Sequence, residues 1–159
     1  PPRGRGIAHR RQHGVVSVSA DLPATTPVTL VEEQLATVKF NSDGLVPVVT
    51  QDLATKQVLM MAWMNALAVE RSLETGHAHY YSRSRQALWH KGEQSGHFQE
   101  IKSLHLDCDG DVLLLKVEQI GGIACHTGRA HCFYRQYQDG EWIQTAPMIK
   151  DPAEIYSDV

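Results

Sequence analysis

Leu104-His105-Leu106-Asp107-Cys108-Asp109-Gly110-Asp111-Val112-Leu113-Leu114-Leu115-Lys116-Val117 reads as a β-hairpin. Leu104, Leu106 and Cys108 alternate with His105, Asp107 and Asp109, the period of two that sends successive side chains to opposite faces of a strand. Asp109-Gly110 is a strong short-turn signal, because both residues tolerate the positive φ that a twisted hairpin demands. Val112 to Val117 then returns as a buried strand. Outward from this hairpin the same grammar repeats. Leu45 to Asp52 and Val58 to Met64 form a pair around polar Thr55-Lys56-Gln57, with Pro47 favouring an edge position. Cys132 to Tyr137 and Trp142 to Thr145 form another around Asp139-Gly140. Between them Asn65 caps a helix over Ala66 to Glu74, with Ala66, Val69 and Leu73 on one face and Gly76 ending it. His79-Tyr80-Tyr81 is a further strand, followed by a polar, glycine-bearing loop from Ser82 to Gly96. The expected fold is α+β and β-rich, built of antiparallel hairpins with one or two short helices.

The chain has 159 residues, enough for one domain that folds without disulfides or a metal. Its hydrophobic and charged fractions, 42% and 21%, are those of an ordinary globular protein. The longest apolar run, Val58 to Met64, is far too short to span a membrane. Pro1 to Leu30 holds four Arg against one Asp, while the remainder carries the acidic excess that brings the net charge to −3. An acidic body argues against nucleic acid as a partner. The reading is a flexible N-terminal extension over 1–33, a folded body over 34–146 and a short polar C-terminal tail over 147–159. The Arg-rich lead is taken as an extension in preference to an organellar transit segment, which places the protein in the cytoplasm.

Three groups of residues carry chemistry. Cys108, Cys125 and Cys132 are odd in number and clustered, which suits a reducing compartment and thiolates used as metal ligands. Their spacing lacks the paired Cys-x2-Cys of structural zinc sites, and three thiolates without a clear fourth ligand suit zinc with an open position. The alternative is three buried, inert cysteines. Asp107, Asp109 and Asp111 share parity, so an extended chain sends them to one face and Cys108 to the other. Three converging carboxylates call for a hard cation such as Mg2+ that can also hold phosphates; the alternative is a solvated turn. An EF-hand is excluded by Val112 at its glycine position. The loop with Arg83, Arg85, Trp89, Lys91 and Ser95 offers cations, hydroxyls and a stacking face, as phosphate and base recognition require.

Taken together, these motifs resemble the phosphoribosyl-AMP cyclohydrolases of histidine biosynthesis. The resemblance runs from about Val38 to Gln136. It rests on Val49-Thr50-Gln51-Asp52, Tyr80-Tyr81-Ser82-Arg83-Ser84-Arg85, Leu88-Trp89, Lys91-Gly92-Glu93, Ser95-Gly96, Asp107-Cys108-Asp109-Gly110-Asp111, Cys125-His126-Thr127-Gly128 and Cys132-Phe133. It implies an intertwined homodimer in which zinc is held by Cys108 of one subunit and Cys125 with Cys132 of the other. It also implies Mg2+ on Asp107, Asp109 and Asp111. The implied reaction is hydrolytic opening of the C6–N1 bond of 1-(5-phosphoribosyl)-AMP by zinc-activated water. His126, beside a ligand and titrating near neutrality, is the expected proton shuttle. Arg83, Arg85, Trp89, Lys91, Glu93 and Ser95 are the expected substrate contacts. Gly121 to Ala124 departs from a shorter Gly-Pro-Ala common in the family, and His97 and His131 stand where Asn and Ser are common. Many relatives carry a following pyrophosphohydrolase domain, and that second activity is not expected here. A zinc nucleobase deaminase is the nearest rival, but its His-x-Glu and Pro-Cys-x-x-Cys signature is missing.

Overall fold

In the computed structural model the described residues are 28–157, so most of the extension read over 1–33 lies outside them. Residues 28–33 belong to a first helix, α1 (Val28–Leu35). It is followed by partly buried Val38 and Phe40, which pack with Leu35 against the core. Strand β1 (Val46–Asp52) and β2 (Val58–Met64) form the first expected hairpin. The helix α2 (Ala66–Thr75) follows with the expected caps. Asn65 accepts a hydrogen bond from the Ala68 N–H at 2.8 Å, and Gly76 turns left-handed at φ 72° to donate to Ser72.

β3 (His79–Ser82) pairs with β4 (Ala87–His90), a strand that sequence reasoning left inside a loop. Residues 87–89 are exposed, so no alternation of apolar and polar residues marks β4. β5 (Gln99–Leu106) and β6 (Leu113–Gln119) form the hairpin expected around Asp109-Gly110. β7 (Arg135–Gln138) and β8 (Glu141–Gln144) form the last, its turn made by Asp139 and Gly140 at φ 49° and 86°. A four-residue helix α3 (Pro152–Ile155) closes the described chain. The domain is β-rich, with antiparallel strand pairs and three short α-helices among the described residues.

The main sheet has the order β2-β1-β6-β5. Its two hairpins meet where β1 and β6 run parallel, Val48 opposite Leu113 through Asp52 opposite Val117. This seam is non-local and carries no turn signal, so hairpin reasoning does not reach it. It makes β1 a central strand, against the expectation from Pro47. Val48 is the first residue in register with β6, whereas Pro47 faces only Trp63 of β2. The proline therefore sits just ahead of the seam, near a strand start where it is tolerated.

Val46, Val48, Leu113, Leu115 and Val117 point from the sheet into one core with Met64, Val69 and Tyr80. Burying each such side chain contributes roughly 1.5–3 kcal/mol. Through this core runs one polar chain. Tyr80 Oη lies 2.7 Å from Thr50 Oγ1 and donates to Gln99 Oε1 at 2.6 Å, and Gln99 Nε2 donates to Gln119 Oε1 at 2.9 Å. With these partners a buried hydroxyl and amide are affordable. The network ties β1, β3, β5 and β6 together beside the turns that carry the site.

Candidate active site

The tip of the β5–β6 hairpin is tighter than the alternation suggested. β5 ends at Leu106, and Asp107 folds the chain back by accepting from the N–H groups of Asp111 and Val112 at 3.0 and 3.2 Å. Slight desolvation of the Asp107 carboxyl is outweighed by these donors, and its pKa falls below the ordinary carboxylate value. Because 107–112 are not extended, the separation of an aspartate face from a cysteine face does not hold. Ligand atoms of Asp107, Cys108 and Asp109 lie within 4.8 Å of one another, all exposed, and Asp111 is not in that group. The Asp111 backbone is instead used to hold Asp107.

The second element of the site is the turn after β6. Isolated backbone bonds close it: Cys125 N–H donates to Arg129 O at 3.1 Å and Gly128 N–H to Cys125 O at 3.0 Å. Cys132 is anchored to β2, its N–H donating to Leu59 O at 2.7 Å. These two anchors bring the Cys125 and Cys132 thiols together. Burial pushes the Cys132 thiol up to about 12, and the neighbouring Cys125 adds to the rise. Lys91 is buried against the same pair and donates its ammonium to Ala124 O at 2.5 Å. Burial lowers its pKa, while Cys132 and Cys125 act in the opposite direction. Two soft sulfur donors held together, one of them with its ionisation suppressed by burial, fit a thiolate-loving divalent metal such as zinc. Among the described residues no group of three or more metal-type side chains unites Cys108 with Cys125 and Cys132. Within one chain the pair lacks its third thiol.

Beside the cysteine turn lies a cavity of about 830 Å³ between the β3–β4 hairpin and the loop after it. Arg85, Trp89, Lys91, Glu93, Ser95 and His126 all line it, so six of the expected catalytic and substrate residues share one wall. Arg83 does not; its guanidinium sits over the Trp63 ring, 4.9 Å from the centroid. Sequence reasoning missed Tyr156, which lines the same cavity from the far end of the chain, and His90; Ser82 and Ser84 of the Tyr80–Arg85 motif line it as well. His90 stacks on His79 at 4.3 Å and leaves its Nε2 buried without a partner. Desolvation, then the charges of His79 and His77, lower its pKa below 6.5. The histidine departures also have places: His97 packs against Gly121, where a Cβ would meet its ring, and His131 keeps a buried, unpartnered Nδ1. A cleft with cations, an indole, hydroxyls and a histidine next to a thiol pair suits a phosphorylated aromatic ligand and proton transfer.

Comparison with known proteins agrees in one direction. A family model described as Phosphoribosyl-AMP cyclohydrolase matches residues 60–134. The phosphoribosyl-AMP cyclohydrolase of Nitrosomonas eutropha is 58% identical over 128 residues, covering 80% of this chain and 99% of the relative. That of Nitrosospira multiformis is 60% identical over 119 residues, 75% of this chain and 92% of the relative. That of Thioalkalivibrio sulfidiphilus is 57% identical over 124 residues, 78% and 95% of the two.

Proposed function

Because the chain belongs to the phosphoribosyl-AMP cyclohydrolase family, we propose that it opens the adenine ring of 1-(5-phosphoribosyl)-AMP by hydrolysis, a step of histidine biosynthesis. One observation carries the reading to particular residues: His126, next in chain to Cys125, faces the cavity that Arg85, Trp89, Glu93 and Ser95 also line. Ribosylation at N1 disrupts the purine's aromaticity and leaves C6 electrophilic. Water adds its oxygen to C6, the C6–N1 bond breaks, and the proton from water ends on N1. C6 becomes a carboxamide that keeps its amino group, and nothing leaves the molecule. His126 takes the proton from the attacking water and returns it to N1, since an imidazole facing the cavity can both accept and donate a proton. Arg85 and Ser95 bind phosphate and ribose, Trp89 lies against the base, and Glu93 assists at substrate or metal. Lys91, held at Ala124, lies against the thiol pair and lines the cavity beside it.

Cys125 and Cys132 of one subunit, with Cys108 of a second copy, would hold zinc in a homodimer. The hairpin carboxylates Asp107, Asp109 and Asp111 would hold Mg2+. When bound, zinc lowers the pKa of a water ligand toward ~7, supplying the nucleophile at neutral pH. That no group among the described residues of one chain unites Cys108 with Cys125 and Cys132 supports sharing between subunits. Free thiolates as ligands need a reducing compartment such as the cytoplasm. Among the described residues no helix is long and apolar enough to cross a membrane.

The test is the ultraviolet absorbance of phosphoribosyl-AMP with and without the protein, alongside an ammonia assay. Ring opening changes the chromophore without releasing ammonia. Ammonia release would make the chain a deaminase, and an unchanged spectrum with zinc and Mg2+ present would refute the reading.

A further inference from the structure

The thirteen residues read as a tail do not behave as one where they are described. Arg129, itself buried, donates from Nε to Ala146 O and from Nη2 to Gln144 Oε1, both at 3.2 Å, and draws the chain back toward the cysteine turn. The N–H groups of Ile149 and Lys150 then both donate to Gly128 O, at 2.8 and 3.3 Å. Gly128 sits at φ +81° with no room for a side chain, because a Cβ there would collide with the Lys150 carbonyl. Asp151 caps α3 by accepting from Ala153 N–H at 2.9 Å, with Pro152 pre-set at the first helical position. Ile155 is buried at 7% exposure and pins the helix to the body. These anchors deliver Tyr156 to the wall of the cavity that His126, Trp89 and Arg85 line.

We propose that Tyr156, carried by this docked segment, is a substrate-contact residue whose ring packs on the purine nucleotide. The inference rests on the cavity being the nucleotide site proposed above. An aromatic ring at 37% exposure has no structural need to face a polar cleft, since Ile155 already supplies the anchor. Trp89 and Tyr156 give the cavity two aromatic faces, from β4 and from the chain's end, beside the guanidinium of Arg85. A flat heteroaromatic ring carrying phosphate is the ligand class such a set recognises.

The holoenzyme and its Tyr156→Ala and Tyr156→Phe variants test this by two routes. One is the KM for phosphoribosyl-AMP; the other is calorimetric affinity for AMP, which has the purine and a ribosyl phosphate but no N1 substituent. Tyr156→Ala is expected to raise both constants about ten-fold, the order of one aromatic contact, with kcat within about two-fold and the thermal midpoint held. Tyr156→Phe, keeping the ring, is expected to stay near wild type in both. Tyr137→Ala, on an exposed residue of β7 outside the cavity, is the control. Wild-type KM and AMP affinity in Tyr156→Ala would overturn the proposal, as would AMP binding to neither protein. Tyr156-dependent AMP binding without ring opening would leave the contact standing and refute the cyclohydrolase reading instead.

Discussion

Tyr80 shows how a single residue both stabilises and orients this site. Its hydroxyl is fully buried, burial drives its pKa far above the ordinary phenol, and Thr50 and Gln99 complete its hydrogen bonding. Asp107 was legible as a chemical group but not as a conformation. An alternating pattern cannot say where a strand stops, and here the Asp107 carboxylate itself ends it by binding the Asp111 and Val112 backbone. His90 permits a test at the same scale. Its folded pKa lies below the ordinary 6.5, mainly through desolvation and the neighbouring His79. Above pH 6.5 the folded and unfolded forms are both neutral there and stability is at its plateau. As pH falls below 6.5 the unfolded chain binds a proton that the folded chain resists, and stability declines until the folded pKa is passed. Urea midpoints measured from pH 7.5 to 5 are expected to fall over that range. His90→Gln is expected to make the fall shallower; an equal slope in wild type and variant would remove His90 from the cause.

At the scale of elements, hairpins with a turn signal were readable and associations without one were not. β1–β2 announces itself as two apolar runs around a polar connection, and β5–β6 and β7–β8 by an Asp-Gly turn. β4 gives no such sign because its Leu88 and Trp89 are exposed to the cavity, and their exposure is the property that makes them useful. Loop composition points to Trp89 as a ligand contact even though nothing in the sequence marks its strand. The β5–β6 tip is the element whose role is most open to experiment. Asp109 makes no hydrogen bond among the described residues that would explain its place in the turn as structural. Asp109→Asn is therefore expected to fold and to bind the proposed zinc as wild type does, since Asn serves turns nearly as well as Asp. Turnover at limiting Mg2+ is expected to fall at least ten-fold, with partial recovery as Mg2+ is raised, because one charged oxygen donor becomes neutral. Steady-state rates across a Mg2+ titration check this; an unchanged titration would return the tip to an ordinary solvated turn.

At the scale of the whole molecule, the proposed sharing of thiols makes an arithmetic prediction. Cys108→Ser and Cys125→Ser homodimers are each expected to be inactive, since every site lacks one ligand. If Cys108 comes from one subunit and Cys125 with Cys132 from the other, a mixed dimer has one site missing both and one site intact. Equal amounts unfolded and refolded together give about half mixed dimers, so activity is expected to return to roughly a quarter of wild type. Mass spectrometry verifies the mixing, and confirmed mixed dimers without activity would mean that zinc is held within single chains. The parallel seam between β1 and β6 has a consequence in time as well as in space. It joins Val48 to Leu113 and cannot form until β2, α2, β3, β4 and β5 have been looped out or folded between them. Such a closure loses chain entropy before any contact compensates it, which makes it a slow event of folding. Cys125 and Cys132 follow β6 in the chain, and Cys132 is fastened to β2 on the far side of β1. Closing the seam therefore also carries the cysteine turn toward the strand that fastens it, and a nascent chain exposes Cys125 and Cys132 before that fastening forms.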